Sequence, residues 1–194
     1  MTICFATNNK KKIEEVQAAL EGKDILIQSL EEIGCKDELP ETGYTLEANA
    51  LQKAQYIYDH FGVDCFADDT GLEVDALEGA PGVYSGRFAG EPRSDERNVQ
   101  LLLEKMNGRK NREARFRTVI ALIIGGKNYL FEGVAKGSIG IIRSGDQGFG
   151  YDPVFLPEGN NKTFAELNTV EKNSISHRGK AVRELIQFLM GRLQ

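Results

Sequence analysis

The sequence contains no tryptophan, only three cysteines and two histidines, and no excess of positive charge. Cys4, Cys35 and Cys65 are odd in number and widely spaced, without a C-x-x-C pattern, and so predict neither a disulfide framework nor a zinc site. Acidic residues outnumber basic ones by 29 to 24, and the formal net charge is −5. This balance argues against binding to long nucleic acid, which depends on lysine and arginine neutralising phosphates. It does not exclude a basic pocket for one small phosphorylated molecule.

Long hydrophobic runs are also missing. The longest purely apolar run extends from Val119 to Ile124, whereas a bilayer span needs about 20 such residues. We therefore expect no membrane association. The first residues read as a strand and lack the basic-then-apolar layout of a signal peptide. Together with the unpaired cysteines, this predicts a protein of the reducing cytoplasm.

The 194 residues are 41% hydrophobic and include 21 glycines, a composition typical of one folded domain or two small lobes sharing a core. Hydrophobic periodicity predicts strands at 2–6, 25–27, 64–67 and 72–76 and helices around 13–20, 46–57, 98–106 and 181–189. Two long paired strands are expected at 114–124 and 128–142, around Gly125-Gly126. Helices that alternate with strands early, followed by a central hairpin, indicate an α/β fold with a mixed sheet.

Two polar clusters follow predicted strands. The first is Thr7-Asn8-Asn9-Lys10-Lys11-Lys12, which is typical either of a capped helix with a solvated basic face or of an anion site at a helix N-terminus. The second is Asp68-Asp69-Thr70-Gly71, which we expect to end its strand abruptly. Adjacent carboxylates after an apolar run are costly unless a cation or donors neutralise them. They predict Mg²⁺ binding or acid–base chemistry, against the alternative of a surface turn.

Two further clusters lie in polar segments. Asn49 and Lys53 follow Pro40-Glu41-Thr42-Gly43 and share one helix face, which we expect opposite the apolar stripe, as a solvated face would be. The segment Gly148-Phe149-Gly150-Tyr151-Asp152-Pro153 places two aromatic rings around a glycine, an arrangement suited to base stacking. The same cluster includes the segment from Glu171 to Gly179, which contains Lys172, His177 and Arg178. The alternative for this cluster is a glycine-rich turn and a polar helix start capped by Ser176.

In this order and spacing the clusters resemble the Ham1/inosine triphosphate pyrophosphatase family, whose members hydrolyse non-standard purine nucleoside triphosphates such as ITP, dITP and XTP. The likeness covers essentially the whole chain, 1–194, as a single domain with two lobes. It rests on six motifs: T-x-N-x-x-K at Thr7 to Lys12, P-E-T-G with N-A-x-x-K from Pro40 to Lys53, A-D-D-[ST]-G at Ala67 to Gly71, G-A-P-G-x-Y-S at Gly79 to Ser85, G-F-G-Y-D-P at Gly148 to Pro153, and E-K-x-x-[IV]-S-H-R at Glu171 to Arg178.

The resemblance implies an elongated mixed α/β fold, a central cleft between two lobes, and a homodimer. It implies that Glu41 and Asp69 hold Mg²⁺, with Asp68 as a further candidate ligand, and that Asp69 accepts the proton of the attacking water. It also implies that the remaining polar positions contact the phosphates, sugar or base: Thr7, Asn8, Asn9, Lys10, Lys11, Lys12, Lys53, Thr70, Phe149, Gly150, Tyr151, Asp152, Lys172, His177 and Arg178.

The sequence departs from the family pattern at two positions, and two alternative functions remain open. Asn8 and Ala48 stand where relatives often carry glycine and an acid; if Thr45 caps the helix, Ala48 occupies the capping-box position. The same residues could belong to a pyrophosphatase of different base choice, such as the Maf type, or to a nucleotide-sensing protein without turnover. For selectivity, we expect the 6-keto oxygen of the base to accept a hydrogen bond from Arg178 or from a backbone N–H in the segment Phe149 to Asp152.

Overall fold

The computed structural model describes residues 1–193, with side chains as far as 192. Seven strands form one mixed sheet in the order β2-β1-β3-β5-β6-β7, with β4 paired to β3. The strands are β1 Thr2–Phe5, β2 Leu26–Gln28, β3 Cys65–Val74, β4 Pro81–Gly82, β5 Glu113–Ile124, β6 Lys127–Ile139 and β7 Phe155–Pro157. The helices are α1 Lys10–Leu20, α2 Leu46–Phe61, α3 Asp95–Lys105, α4 Thr169–Ile175 and α5 His177–Leu193. The predicted α/β class with a mixed sheet is confirmed.

The chain divides into two compact units. The first comprises residues 1–69, 118–133 and 178–194, and the second comprises 70–117 and 134–177. Three strands, β3, β5 and β6, therefore contribute residues to both units. Within the described residues 1–193, no helix is long and apolar enough to cross a bilayer.

The first unit is built on parallel pairing. Strand β1 pairs with β2 and with β3 in parallel, with Cys4 opposite both Gln28 and Cys65. A parallel connection requires a crossover, and α1 and α2 provide the two crossovers. The core of this unit joins the apolar stripe of α1 to that of α5 and includes the stacked rings of Phe5 and Phe66, whose centroids are 4.5 Å apart.

The second unit uses antiparallel pairing, of β3 with β4 and of β6 with β7. Its core contains the inward face of α3 and a cluster of aromatic rings, Phe116, Phe155 and Phe164. Helix α3 begins after Ser94, whose hydroxyl accepts the N–H of Arg97 at 3.3 Å. It begins about one helical turn earlier than predicted. The residues of its first turn are polar, so the apolar periodicity gives no signal for them.

The predicted break at Asp68-Asp69-Thr70-Gly71 is wrong. Strand β3 continues through these residues to Val74, so the two strands predicted at 64–67 and 72–76 are one. Two features explain the continuity. Asp68 and Asp69 meet cations and donors that offset the cost of burying charge in a strand. Gly71 lets β4 approach closely, since a Cβ there would lie 2.6 Å from the carbonyl oxygen of Gly82.

Candidate active site

The N-terminus of α1 is a capped helix start. The side-chain oxygen of Asn9 accepts the N–H groups of Lys11 and Lys12 at 3.0 and 3.2 Å, and the hydroxyl of Thr7 accepts the N–H of Asn9 at 3.2 Å. Lys10 and Lys11 are exposed, as is Asn8. Lys12 alone of the three lysines turns inward, because neighbouring residues on a helix point about 100° apart.

Lys12 reaches a buried charge cluster in the first unit, centred on Asp68. One oxygen of Asp68 accepts Lys12 Nζ at 2.9 Å, and the other accepts Arg178 Nε at 3.0 Å. Arg178 also donates through Nη1 to Glu15. Asp68 and Arg178 are each 2% exposed, and Glu15 is 6% exposed. Both oxygens of Asp68 therefore have cationic partners supplied by elements far away in sequence.

Asp69, the next residue, lies in a different setting. Its Oδ2 accepts the side-chain N–H of Asn49 at 3.1 Å, and its Oδ1 is 3.7 Å from Lys53 Nζ. The same lysine donates to Glu41 at 2.7 Å and to the carbonyl oxygen of Asp68 at 2.7 Å. One ammonium group thus contacts the carboxylates of both Glu41 and Asp69.

The two aspartates have pKa shifts of opposite sign. Burial by itself would raise the pKa of Asp68, but the cations around it, Lys12 first, outweigh burial and hold that pKa far below its usual value. For Asp69 burial dominates, and the nearby carboxylate of Glu41 adds to it, so its pKa is raised. Asp68 is therefore the more acidic carboxylate of the pair and Asp69 the more basic one.

The face of α2 that carries Asn49 and Lys53 is not the solvated face expected from the sequence. Both side chains are buried, at 2% and 5% exposure, on the same face as Leu46, Ala50 and Ile57. The expectation of an opposite face was wrong because Asn49 and Lys53 each lie three residues after an apolar position, and that spacing keeps residues on one side of a helix. The amide oxygen of Asn49 also accepts the N–H of Gly43 at 2.7 Å.

The metal-ligating oxygens of the first unit are too few to hold a hard cation without further oxygens from a bound phosphate. Among residues 1–193, no group of three or more His, Cys, Asp or Glu side chains is arranged to bind a metal. The carboxylates of Glu41 and Asp69 nevertheless lie about one cationic group, the ammonium of Lys53. Mg²⁺ is commonly bound by one or two carboxylates together with substrate phosphates. The residues present fit such a site.

The second unit contains the other predicted residues, grouped around Lys172. This lysine is 3% exposed and donates to Asp152 Oδ2 at 2.6 Å, and its Nζ lies 5.0 Å from the ring centre of Phe149. The same oxygen of Asp152 accepts the N–H of Phe149 at 2.9 Å. A Cβ at Gly148 would lie 2.0 Å from this oxygen, so the glycine is required for the loop to close on Asp152.

His177 is buried in this unit at 3% exposure, with its ring stacked on Phe116 at a centroid distance of 4.5 Å. The hydroxyl of Tyr151 donates to the carbonyl oxygen of Ser85 at 2.8 Å, and burial raises the pKa of that hydroxyl. Thr70 is the first residue of the second unit, directly after Asp69.

Two charged residues of these groups were absent from the set predicted from the sequence. Glu15 pairs with Arg178, and Asp95 accepts the N–H of Gly150 at 2.7 Å. The only sequence indication for Glu15 was its place three residues after Lys12, on one helix face. Asp95 follows a good N-cap residue, Ser94, and nothing in the sequence separates it from an ordinary acidic residue of a first helical turn.

Comparison with known proteins places the molecule in a class. A sequence model described as the Ham1 family matches residues 3–188, nearly the whole chain. The chain belongs to the Ham1 family. Among its relatives, a dITP/XTP pyrophosphatase of Flavobacterium johnsoniae is 53% identical, with 97% of this chain and 98% of the relative covered. A protein of the same description from Porphyromonas gingivalis is 51% identical, with 97% of each chain covered.

Solved structures agree with the sequence relatives. The Ham1 protein of Staphylococcus aureus matches with a TM-score of 0.89 and 37% identity, covering 99% of this chain and all of that one. A Ham1 protein of Coxiella burnetii matches with a TM-score of 0.90 and 36% identity, covering 98% and 99%. The resemblance drawn from six motifs is thereby confirmed, and with it the fold.

Proposed function

We propose that this chain hydrolyses non-standard purine nucleoside triphosphates (dITP, XTP and ITP) to the nucleoside monophosphate and pyrophosphate. The relatives described as dITP/XTP pyrophosphatases support this activity, at up to 53% identity over nearly their full length. One observation in the chain itself carries the proposal. The carboxylate of Asp69 is buried and oriented by Asn49, and it lies with Glu41 about the ammonium of Lys53.

Glu41 and Asp69 are the residues we propose to hold a divalent ion, with Mg²⁺ as the natural candidate because both ligands are hard oxygen donors. When bound, such an ion lowers the pKa of water, orients phosphate oxygens and offsets developing negative charge. Asp68, the third ligand predicted from the sequence, stays a prediction. Its two oxygens already contact Lys12 and Arg178, which favours a role in holding those cations.

In the proposed reaction, the oxygen of a water molecule forms a bond to the α-phosphorus while the bond from that phosphorus to the bridging oxygen breaks. Asp69 Oδ1 accepts the proton from water, a role that suits the more basic of the two aspartates. The electron pair of the broken bond leaves on pyrophosphate. Lys12 and Lys53 supply positive charge that would stabilise the leaving group.

Phosphate binding is assigned to the segment from Thr7 to Lys12. The capped start of α1 has the positive end of the helix dipole, and Lys12 adds a cation whose pKa is lowered by burial. Asn8, Lys10 and Lys11 are exposed. They are proposed to contact the substrate through their backbone N–H groups or at the edge of the phosphate-binding segment. Thr70 completes the group predicted for the phosphates and sugar.

The second unit is assigned to the nucleoside. Phe149 offers a flat ring for stacking, worth about 1–3 kcal/mol per base, and Lys172 and Asp152 fix its position through the contacts described. Gly150, Tyr151 and His177 are assigned to the same nucleoside-binding group, with Tyr151 and His177 buried beneath it. Discrimination of the 6-keto oxygen by Arg178, or by a backbone N–H near Phe149, stays a prediction.

The natural state of the protein is proposed to be a homodimer in the cytoplasm. The dimer rests on the family resemblance alone. The compartment is supported by Cys4, Cys35 and Cys65, which are all buried free thiols, as expected where the surroundings keep cysteine reduced.

A panel of triphosphates, assayed for pyrophosphate with and without Mg²⁺, tests the activity. We expect pyrophosphate from dITP, XTP and ITP, much less from ATP and GTP, and none after chelation. Release from a different set of bases would favour the Maf type of pyrophosphatase. Binding without release would favour a nucleotide sensor. Loss of the Mg²⁺-dependent activity in Glu41→Gln would support the ligand assignment, and Mn²⁺ binding followed by electron paramagnetic resonance gives a reading independent of turnover.

A further inference from the structure

The loop Gly148 to Asp152 is held by two carboxylates that bind successive backbone N–H groups. Asp152 Oδ2 accepts the N–H of Phe149 at 2.9 Å, and Asp95 Oδ2 accepts the N–H of Gly150 at 2.7 Å. The first carboxylate belongs to the loop and to the predicted site. The second comes from α3, which no motif of the sequence marks as functional.

Asp95 is attached to a well-anchored part of the second unit. It is the first residue of α3, whose side chains Asn98, Val99 and Leu102 are buried. The amide of Asn98 donates to the carbonyl oxygen of Ser85 at 3.3 Å, and that oxygen also accepts the hydroxyl of Tyr151 at 2.8 Å. Helix α3 therefore holds the loop at two points, directly through Asp95 and indirectly through Ser85.

The loop needs such support because its own backbone is permissive. Gly148 and Gly150 have φ angles of 72° and 60°, in the region that glycine enters at little cost. Ordering one residue of a free backbone costs about 1–2 kcal/mol. A carboxylate that already fixes the residue after Phe149 removes part of this cost before a ligand arrives.

We infer that Asp95 is a positioning residue for purine recognition: by holding the N–H of Gly150 it fixes the place where the ring of Phe149 meets the base. This inference rests on the proposed function, in which Phe149 stacks on the nucleobase. It assigns no chemical step to Asp95, so the substrate's base contacts depend on it and the phosphate contacts do not.

The test compares Asp95→Ala with Glu96→Ala. Glu96 is the next acidic residue in the same first turn of α3 and has no contact with the loop; its own partner is Arg143, at 3.7 Å. We expect Asp95→Ala to weaken binding of dIMP, measured by calorimetry, by about 5–10-fold, as the loss of one exposed charge-assisted hydrogen bond would. KM for dITP should rise in parallel while kcat changes less than about twofold.

Three further readings separate positioning from general damage. Inhibition by pyrophosphate, which has no base, should be unchanged in Asp95→Ala. Asp95→Asn, which keeps an acceptor oxygen, should restore dIMP binding to near the wild-type value. Glu96→Ala should behave as wild type.

The inference is overturned if pyrophosphate and dIMP binding weaken equally, or if Glu96→Ala matches Asp95→Ala. Unchanged dIMP binding in Asp95→Ala overturns it as well. A wild-type protein that binds dIMP but fails to hydrolyse dITP contradicts the proposed function and leaves the binding comparison fully informative. A wild-type protein that neither binds dIMP nor hydrolyses dITP overturns both.

Discussion

Asp68 and Asp69 show how neighbours on one strand can differ in purpose. Successive side chains of a strand point to opposite faces, so Asp68 meets Lys12 and Arg178 whereas Asp69 meets Asn49 and Lys53. The first carboxylate is neutralised by cations, and the second has a raised pKa. The charge partners of Asp68 lie 56 and 110 residues away in the sequence, so no local pattern could have assigned them.

Exchanging each aspartate for asparagine should separate chemistry from stability. Asp69→Asn keeps the shape and the neighbours but cannot accept a proton, so kcat should fall by about 10²–10⁴-fold while urea unfolding changes little. Asp68→Asn leaves Lys12 and Arg178 without their buried anion and should cost about 3–5 kcal/mol of unfolding free energy. Retained turnover in Asp69→Asn would contradict the assignment of the proton acceptor.

The stabilising effect of Asp68 should depend on pH with a definite sign. Its pKa is lowered on folding, so its contribution is fully present above the unfolded value of about 3.9 and declines as the pH falls below it. The difference in unfolding free energy between wild type and Asp68→Asn should therefore be constant from neutral pH to about pH 5 and shrink in more acidic buffer. A difference that grew toward acid would contradict the pairing.

Arg178 is the side chain predicted to distinguish a 6-keto purine from adenine. Arg178→Ala should lower kcat/KM for ITP much more than for ATP if the guanidinium reads the 6-keto oxygen. Because Arg178 also binds Glu15 and Asp68, the comparison requires protein shown to be folded by circular dichroism. Equal losses on both substrates would leave Arg178 with its structural role alone.

Helix α2 shows what an element's sequence does and does not disclose. Its start at Thr45 and its apolar stripe were predictable, because capping and periodicity are local properties. The hydroxyl of Thr45 accepts the N–H of Ala48 at 3.1 Å, as expected. The spacing of Lys53 from Ala50 already places it on the apolar face, but its charge partners were not predictable, since they are carboxylates from another strand and loop. The continuity of β3 through its two aspartates was not predictable either, because it depends on cations and donors from distant parts of the sequence.

The N-cap of α2 can be tested by one substitution that removes it and one that strengthens it. Thr45→Ala should lower the free energy of unfolding by about 1 kcal/mol, because the N–H of Ala48 loses its acceptor. Ala48→Glu should raise it by a few tenths to about 1 kcal/mol by completing the capping box and placing a negative charge near the positive end of the helix. Urea denaturation measures both changes. A stabilising Thr45→Ala or a strongly destabilising Ala48→Glu would contradict this account of the helix start.

At the scale of the whole molecule, all three cysteines lie in the buried interior of the first unit. Cys4, Cys35 and Cys65 are 1%, 5% and 0% exposed. Burial raises the pKa of Cys4 and of Cys65 to about 12. The number and spacing of the cysteines predicted no disulfide framework, but they could not show how deeply these thiols lie.

Thiol reactivity should therefore report global unfolding. Burial raises the pKa of Cys4 and Cys65 to about 12, so very little thiolate forms in the folded protein at about pH 8. An aromatic disulfide reagent should react slowly with the native protein and should titrate all three thiols once guanidinium chloride unfolds it. Rapid labelling of Cys4 or Cys65 without loss of structure would contradict the burial described.

Attack of water on the α-phosphorus of a purine triphosphate can be tested directly by isotope labelling. Wild-type protein is incubated with dITP and Mg²⁺ in water enriched in ¹⁸O, and the products are followed by phosphorus NMR. We expect dIMP carrying the isotope on its phosphate, together with unlabelled pyrophosphate. The appearance of dIDP with inorganic phosphate, or of the isotope in pyrophosphate, would contradict it.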